Sequence, residues 1–477
     1  VKLRSYQVKL NKPTKKFLKD KKAGQRAQVY APTGAGKTVC FNELIKEAIK
    51  NGKTNIAILH PRIALSQDQL RRFQKEFKSS VHTTSFHSGG YVINEGAVGG
   101  TSTTSEDELL AILEQVDIPH VTFSSYHSFD KLLNIKFDIV ICDEAHYLTQ
   151  DRFLEYLPNI NADKILFYTA TPITSEMEDD YMKDFSLFGP VIAQVEPKEL
   201  IIPGFILAPL VHIMECRTGT AGNYVDVVDV VARAYADQYR DVKANNMPFV
   251  QMLVASRGLN DLRELETNLA RLWSTIDSQL GKGTLSEPVT VYTIDSTGSF
   301  RNGKPVADRD SALREIKEGG KNVIVAHYDT LSEGIDIDTL TGAVIMRVMS
   351  KAKLIQTIGR CARPYVGDLD PATFTPKKSL YNFDKGIDKR QKPRCIITFP
   401  VIDGKWIAND NGKGISEAFI AGGYDSLLTY IKKNEDTALG TPRTPLLEIE
   451  DNTLISSIQD HHSHRTLTDL HELFDLK

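Results

Sequence analysis

Cysteine is scarce in this chain of 477 residues: Cys40, Cys142, Cys216, Cys361 and Cys395 are scattered, odd in number and free of any C-x-x-C pair. That pattern argues against a disulfide framework or structural zinc and points to a reducing compartment. No apolar run approaches the roughly 20 residues of a membrane-spanning helix, and no signal-type apolar region opens the chain. A soluble, cytoplasmic protein (host cytoplasm, if viral) with no membrane partner is expected. A dominant charge sign is lacking too. The formal net charge of −3 excludes a wholesale basic protein, so any nucleic-acid surface must be a local groove. No internal repeat is evident, and nothing indicates an oligomeric state. With 41% hydrophobic and 25% charged residues the composition is globular, and the length suits two domains plus an appendage.

What is present begins with Ala31-Pro32-Thr33-Gly34-Ala35-Gly36-Lys37-Thr38. Read as a phosphate-binding loop, Thr33 to Gly36 let backbone N–H groups close around a polyphosphate, Lys37 reaches the terminal phosphates, and the Thr38 hydroxyl suits Mg²⁺. A short β-prone run ends at Val29-Tyr30, while Phe41, Leu44, Ile45, Ala48 and Ile49 recur at helical spacing until Asn51-Gly52. Strand, loop and helix therefore follow in order.

The surrounding pattern alternates regularly. An amphipathic helix carrying Phe17 and Leu18 is predicted in the lysine-rich segment from Lys9 to Lys22. Strands are predicted at 56–59, 81–86, 120–123, 137–142 and 164–168, with a helix at 64–77 and a capping box at Ser105 before Leu109; 89–105 reads as a mobile loop. Beyond a Pro/Gly joint at 201–209 come helices at 225–242, 260–273 and 307–317 and strands at 249–254, 289–294, 323–327, 343–347 and 394–400. The class is α/β, two domains in tandem with covered parallel sheets. Their bounds are placed at 1–200 and 201–405, with a helical extension and tail at 406–477.

The strand Ile139-Val140-Ile141-Cys142 runs into Asp143-Glu144-Ala145-His146. An apolar parallel strand delivers carboxylates at the carboxyl edge of the sheet, where ligands bind. Asp143 can hold Mg²⁺ through water and Glu144 can orient and deprotonate an attacking water. Gln7 can donate to and accept from an adenine edge, or simply face solvent on a first helix.

Asp-Glu-Ala-His also carries a resemblance, to superfamily 2 helicases and translocases of the DEAH type, and the match runs in order along most of the chain. Gln7 lies in a segment similar to the family's adenine-reading motif, and His60-Pro61-Arg62-Ile63-Ala64-Leu65 resembles the first nucleic-acid motif. Thr169-Ala170-Thr171-Pro172 looks like the coupling motif. Thr330 with Glu333-Gly334-Ile335-Asp336-Ile337, then Gln356-Thr357-Ile358-Gly359-Arg360-Cys361-Ala362-Arg363, resemble the fifth and sixth.

The resemblance implies two RecA-like domains, ATP and Mg²⁺ as cofactors, Gly334 and Asp336 at the nucleotide, and His146, Thr169 and Thr171 in coupling. It implies strand contacts by Arg62, Ser124 and Thr330, and DNA (single-stranded, forked or branched) in preference to RNA, since His146 and Gln356 differ from the RNA-helicase pattern. A narrower likeness is to phage branch-migration helicases of the UvsW type. An RNA helicase, a restriction-type translocase needing a partner nuclease, and an ATP-switched clamp are the alternatives. Gln356, Arg360 and Arg363 recur at i, i+4 and i+7, so one helix face is predicted to carry an amide and two guanidiniums suited to a transferring phosphoryl group.

Two features fall outside this pattern. Residues 377–394 carry seven basic side chains against Asp384 and Asp388, with Tyr381 and Phe383 interleaved; they read either as a base-stacking loop or as a solvated loop anchored by two rings. The tail holds Asp460-His461-His462-Ser463-His464, open to a metal reading, with an interaction helix at 467–476 the favoured use.

Overall fold

Short β-branched runs punctuated by turns and separated by helical stripes build two parallel sheets. The computed structural model describes residues 3–22, 24–89, 100–170, 181–216, 225–318, 320–328, 337, 339–347, 349, 351–371, 373–402, 405–406 and 462–464. The chain divides into two units, Val1–Glu196 and Pro197–Lys477.

In the first unit the strands are β1 (Gln25–Tyr30), β2 (Asn55–His60), β3 (His82–Phe86), β4 (Gly100–Thr103), β5 (His120–Ser125), β6 (Phe137–Asp143), β7 (Ala162–Thr169) and β8 (Val191–Gln194). They lie in the order β4-β3-β5-β2-β6-β7-β1-β8, every pairing parallel. Central strands buried on both faces read as continuous apolar runs; Val140, Cys142, Ile165 and Phe167 are at most 1% exposed.

The helices α1 (Ser5–Lys19), α2 (Lys37–Lys50), α3 (Ile63–Phe77) and α4 (Glu106–Gln115) follow, and the Ser105 hydroxyl caps α4 by accepting from Glu108 N. Two expectations change here. α1 starts earlier than predicted and buries Tyr6, Leu10 and Thr14, leaving Phe17 and Leu18 half-buried. Part of the expected loop at 89–105 is β4, an edge strand without large apolar residues that pairs with β3; residues 90–99 lie outside the described set.

The second unit holds β9 (Ala208–Glu215), β10 (Gln251–Ala255), β11 (Thr290–Ile294), β12 (Ser299–Arg301), β13 (Lys304–Pro305), β14 (Val323–His327), β15 (Gly342–Ile345), β16 (Tyr381–Asn382), β17 (Ile387–Asp388), β18 (Arg394–Ile402), β19 (Lys405–Trp406) and β20 (His462–His464). Six of them form a parallel core ordered β11-β14-β10-β15-β18-β9. The β12–β13 hairpin extends one edge and β20 pairs antiparallel with β9 at the other. The long helix Val227–Ala244 packs Val228, Val231 and Tyr235 into the core beside Val254 and Ile324. The predicted helix at 260–273 is two helices, Leu259–Thr267 and Leu269–Leu280. Asn268 breaks it, its amide donating to Glu264 O at 2.9 Å, the local competition typical of Asn.

The basic segment at 377–394 is largely packed. Tyr381 is 8% exposed, its hydroxyl donates to Ile202 O at 2.7 Å, and Arg390 lies 4.0 Å above its ring. Arg390 chelates Asp388, Arg394 chelates Asp241, and Lys392 Nζ donates to Arg363 O at 2.7 Å. The anchoring reading therefore holds for Tyr381, and the local positive excess narrows to exposed Lys378, Lys385 and Lys389.

A single glycine fixes how β8 joins the sheet. Gly189 adopts φ +70°, and a Cβ there would lie 1.9 Å from Arg26 O. Gly189→Ala is expected to destabilise the first unit by roughly 2–4 kcal/mol, combining left-handed strain with a backbone clash. A thermal-unfolding midpoint equal to that of the unmodified chain would contradict this placement.

Candidate nucleotide site

The carboxyl ends of β1, β7, β6 and β2 are consecutive in the sheet, so the residues that follow them share one edge. Ala31 N donates to Thr169 O at 3.0 Å, tying the phosphate-type loop to the end of β7, and Ala35 N closes a turn onto Pro32 O at 3.1 Å. Gly34 and Gly36 take φ +84° and +72°, the left-handed values that glycine alone adopts without strain. Gly36 is also the N-cap of α2 and offers no side-chain cap, an arrangement suited to anion binding at a helix start. Gln7 reaches this loop: its amide donates to Ala35 O at 3.2 Å and accepts from Arg4 N at 2.9 Å.

Lys37, 9% exposed, pairs with Glu144 at 3.0 Å. Burial pulls its pKa down, but the Glu144 and Asp143 carboxylates outweigh that and hold it above the ordinary lysine value. Asp143 moves the other way for a carboxyl: burial first, then the neighbouring Glu144 charge, push it up to about 7 against the pull of Lys37. Glu144 is held at φ +51°, ψ +50°, an uncommon left-handed conformation for a residue with a side chain and one that clusters at functional sites. Tyr126 secures the strand end by donating to Asp143 O at 2.6 Å.

Two histidines flank the carboxylates. His146 Nδ1 lies 3.1 Å from Thr169 Oγ1 and 3.6 Å from Glu144 Oε2, joining the acidic turn to the end of β7. His60 is fully buried with Nδ1 3.7 Å from Asp143 Oδ2, and among the described residues neither ring nitrogen has a hydrogen-bond partner. Burial lowers both rings, His146 to about 4 and His60 to about 3, so both are neutral near pH 7.

Sequence reasoning assigned no role to His60, Tyr126 or Gln69. Gln69 sits on α3 and donates through one amide nitrogen to Thr38 Oγ1 at 2.9 Å and Asp143 Oδ2 at 3.1 Å. The signal was available. Ser66, Gln69, Leu70, Phe73, Gln74 and Phe77 form the inward stripe of α3, and a glutamine at such a position needs partners.

The other predicted residues are placed as follows. Arg62 is the N-cap residue of α3 and half-exposed. Ser124 is fully buried, its hydroxyl donating to Phe86 O at 2.9 Å, so it presents no surface atom to a strand. In the second unit Gln356 and Arg360 lie on the helix Lys351–Cys361, 5% and 9% exposed. That helix stops two residues short of Arg363, so the expected three-residue stripe holds for Gln356 and Arg360 alone. Pro364 is the reason, because a proline disfavours helical backbone in the residue before it. Thr171, Thr330, Gly334 and Asp336 lie outside the described residues. A cavity of about 390 Å³ lined by Lys15, Lys19, Lys53 and Lys164 opens at the opposite, amino-terminal edge of the sheet.

Raised above the ordinary 3.8 to about 7, protonated Asp143 favours the folded state below that window, and the contribution is lost as pH rises through about 7. Asp143→Asn, neutral throughout, should therefore gain stability relative to the unmodified chain between about pH 5 and about pH 8 in EDTA. Unfolding free energies that differ equally at both pH values would show that Asp143 is not raised.

Two family models match the chain: the Type III restriction enzyme res subunit over residues 1–174 and the Helicase conserved C-terminal domain over residues 274–365. No curated protein matches it. Among solved structures, the ATP-dependent Type ISP restriction-modification enzyme LlaBIII bound to DNA is similar with TM-score 0.63 and 16% identity, over 93% of this chain and 31% of that one. A nuclease-deletion mutant of the Type ISP enzyme LlaGI, in complex with a DNA substrate mimic, gives 0.57 and 15% over 96% and 34%. At such identities the likeness is one of fold, and this chain spans about a third of the length of either. Among the described residues, no helix is long and apolar enough to cross a membrane. With the res-subunit and helicase C-terminal models matched in order on two RecA-like parallel-sheet units, the chain carries the domains of an ATP-hydrolysing helicase or translocase.

Proposed function

We propose that this motor translocates on DNA, in the manner of a restriction-type translocase whose nuclease is supplied outside these residues. The observation that carries the reading is the res-subunit match over residues 1–174, and the fold shared with DNA-bound Type ISP enzymes supports it.

In this reading Thr33, Gly34, Ala35 and Gly36 wrap the phosphates, Lys37 meets the terminal ones, and Gln7 addresses the adenine. Thr38 and Asp143 would hold Mg²⁺. Their oxygens converge on a single amide nitrogen, and one hydroxyl plus one carboxylate suits an ion that keeps waters and shares substrate phosphates. Bound there, Mg²⁺ neutralises charge on the phosphates.

Glu144 orients and deprotonates the attacking water, and its left-handed backbone aims the carboxylate from the strand end. Gln356, Arg360 and Arg363 stabilise the transferring phosphoryl group, with Gly334 and Asp336 at the nucleotide. His146, Thr169 and Thr171 couple hydrolysis to movement, the first two through the 3.1 Å contact. Arg62 and Thr330 meet strand phosphates, contacts that position the strand without reading its sequence.

An ATPase assay over duplex, single-stranded, forked and four-way DNA with matched RNA tests the substrate. Stimulation by duplex DNA of at least about tenfold over RNA is expected, together with ATP-driven displacement of a triplex-forming strand; equal stimulation by RNA would overturn the assignment. Selective stimulation by four-way junctions would move the reading to branch migration of the UvsW type.

Glu144→Gln should bind ATP while hydrolysis falls on the order of 10²–10⁴-fold, the range for loss of a general base. Arg363→Ala should likewise bind ATP and lose hydrolysis. If Glu144→Gln retained full biological function, an ATP-switched clamp would replace the motor.

A further inference from the structure

The two oxygens assigned to the cation are already claimed by one side chain. Gln69 Nε2 lies 2.9 Å from Thr38 Oγ1 and 3.1 Å from Asp143 Oδ2, so the two hydrogens of a single NH₂ group serve both acceptors. Gln69 is 6% exposed and Asp143 4%, which places this junction away from bulk water. The contact spans 31 residues to Thr38 and 74 to Asp143, so α3 is what brings the amide in.

Its chemistry is one-sided. An amide NH₂ donates and cannot ligate a cation; the Thr38 hydroxyl keeps a second lone pair when it ligates Mg²⁺, but an ion shared by both oxygens must lie where they converge, the place this nitrogen takes at 2.9 and 3.1 Å. When Asp143 is ionised, its oxygen 3.1 Å from the donor favours this orientation of the amide, because the flipped carboxamide would set two oxygens against each other.

We propose that Gln69 is a positioning residue that competes with the divalent cation for Thr38 and Asp143, holding both oxygens converged and setting the threshold at which the metal is taken up. This rests on the assignment of Thr38 and Asp143 as the cation's ligands. The amide acts in two opposed directions. It satisfies a buried carboxylate, which stabilises the unit, and it must swing aside or turn its Oε1 toward a metal-bound water before both oxygens face the ion, which weakens cation binding. A residue that merely packs α3 against the sheet would do the first and not the second.

The test uses the full chain with Mn²⁺ in the presence of ADP, its affinity read by electron paramagnetic resonance, beside thermal unfolding in EDTA. Gln69→Leu removes the donor at similar volume and should lower the unfolding midpoint while tightening Mn²⁺ binding, on the order of ten- to a hundredfold for the loss of a competing hydrogen bond to a charged group. Gln69→Glu replaces the donor by a third acceptor and should tighten it further, which keeps a readout should the leucine variant fold poorly. Asp143→Asn is the reference and should weaken Mn²⁺ binding.

Weakening by Asp143→Asn, with Mn²⁺ affinity unchanged or reduced in both Gln69 variants, would overturn the competition while leaving the site assignment intact. No weakening by Asp143→Asn would overturn the assignment and the proposal with it.

Discussion

The ion pair between Lys37 and Glu144 organises the first unit's functional edge. One buried cation faces two adjacent carboxylates, Asp143 and Glu144, at the end of a single parallel strand. Two acids against one base leave a surplus negative charge that burial makes costly. The surroundings answer that surplus with neutral donors. Gln69 donates to Asp143 directly and Tyr126 donates to its backbone carbonyl, while burial keeps His60 and His146 uncharged. A site poised with excess negative charge and a phosphate-type loop beside it suits a polyphosphate that arrives with its own divalent cation.

That arrangement explains why so much sheet is needed to bring so few polar groups together. The loop leaves β1, Thr169 ends β7, Asp143 ends β6 and His60 ends β2, four neighbouring strands. Parallel pairing aligns their carboxyl ends, and the apolar interior of each strand makes its register hard to slip, since a one-residue shift would turn every side chain to the opposite face. The left-handed turn at Glu144 stores strain that the surrounding hydrogen bonds hold in place. The geometry of this edge is thus a property of strand ends, with α3 contributing from one face.

The second unit repeats the architecture with a different economy of charge. Its basic segment read in sequence either as a base-stacking loop or as a solvated one, yet Arg390, Lys392 and Arg394 are turned inward onto Asp388, a backbone carbonyl and Asp241. Charge counting along a chain cannot distinguish a solvent-facing run from one whose members alternate in and out of a packed loop. Arg363 is a parallel case: its spacing suggested a helical stripe, and the proline after it ended the helix first.

Much of the sheet was legible because buried parallel strands need continuous apolar runs: residues 323–327 were read with the observed bounds, and the Asp143-Glu144 pair was visible as carboxylates at a strand end. The Asn302-Gly303 turn of the β12–β13 hairpin was equally plain and was passed over; both residues adopt left-handed backbone, the signature of that turn. Edge strands were less readable. β4 is Gly-Thr-Ser-Thr, and β9 opens on Ala208-Pro209, where a missing N–H is tolerated because among the described residues β20 pairs with His212 to Met214 alone. By itself the sequence determined the α/β class, the loop and the acidic turn, because local chemistry and periodicity specify those. Only the tertiary structure decided that Gln69, Tyr126 and His60 converge on Asp143 and that Ser124 faces inward, because such contacts join residues far apart along the chain through the order in which strands lie side by side.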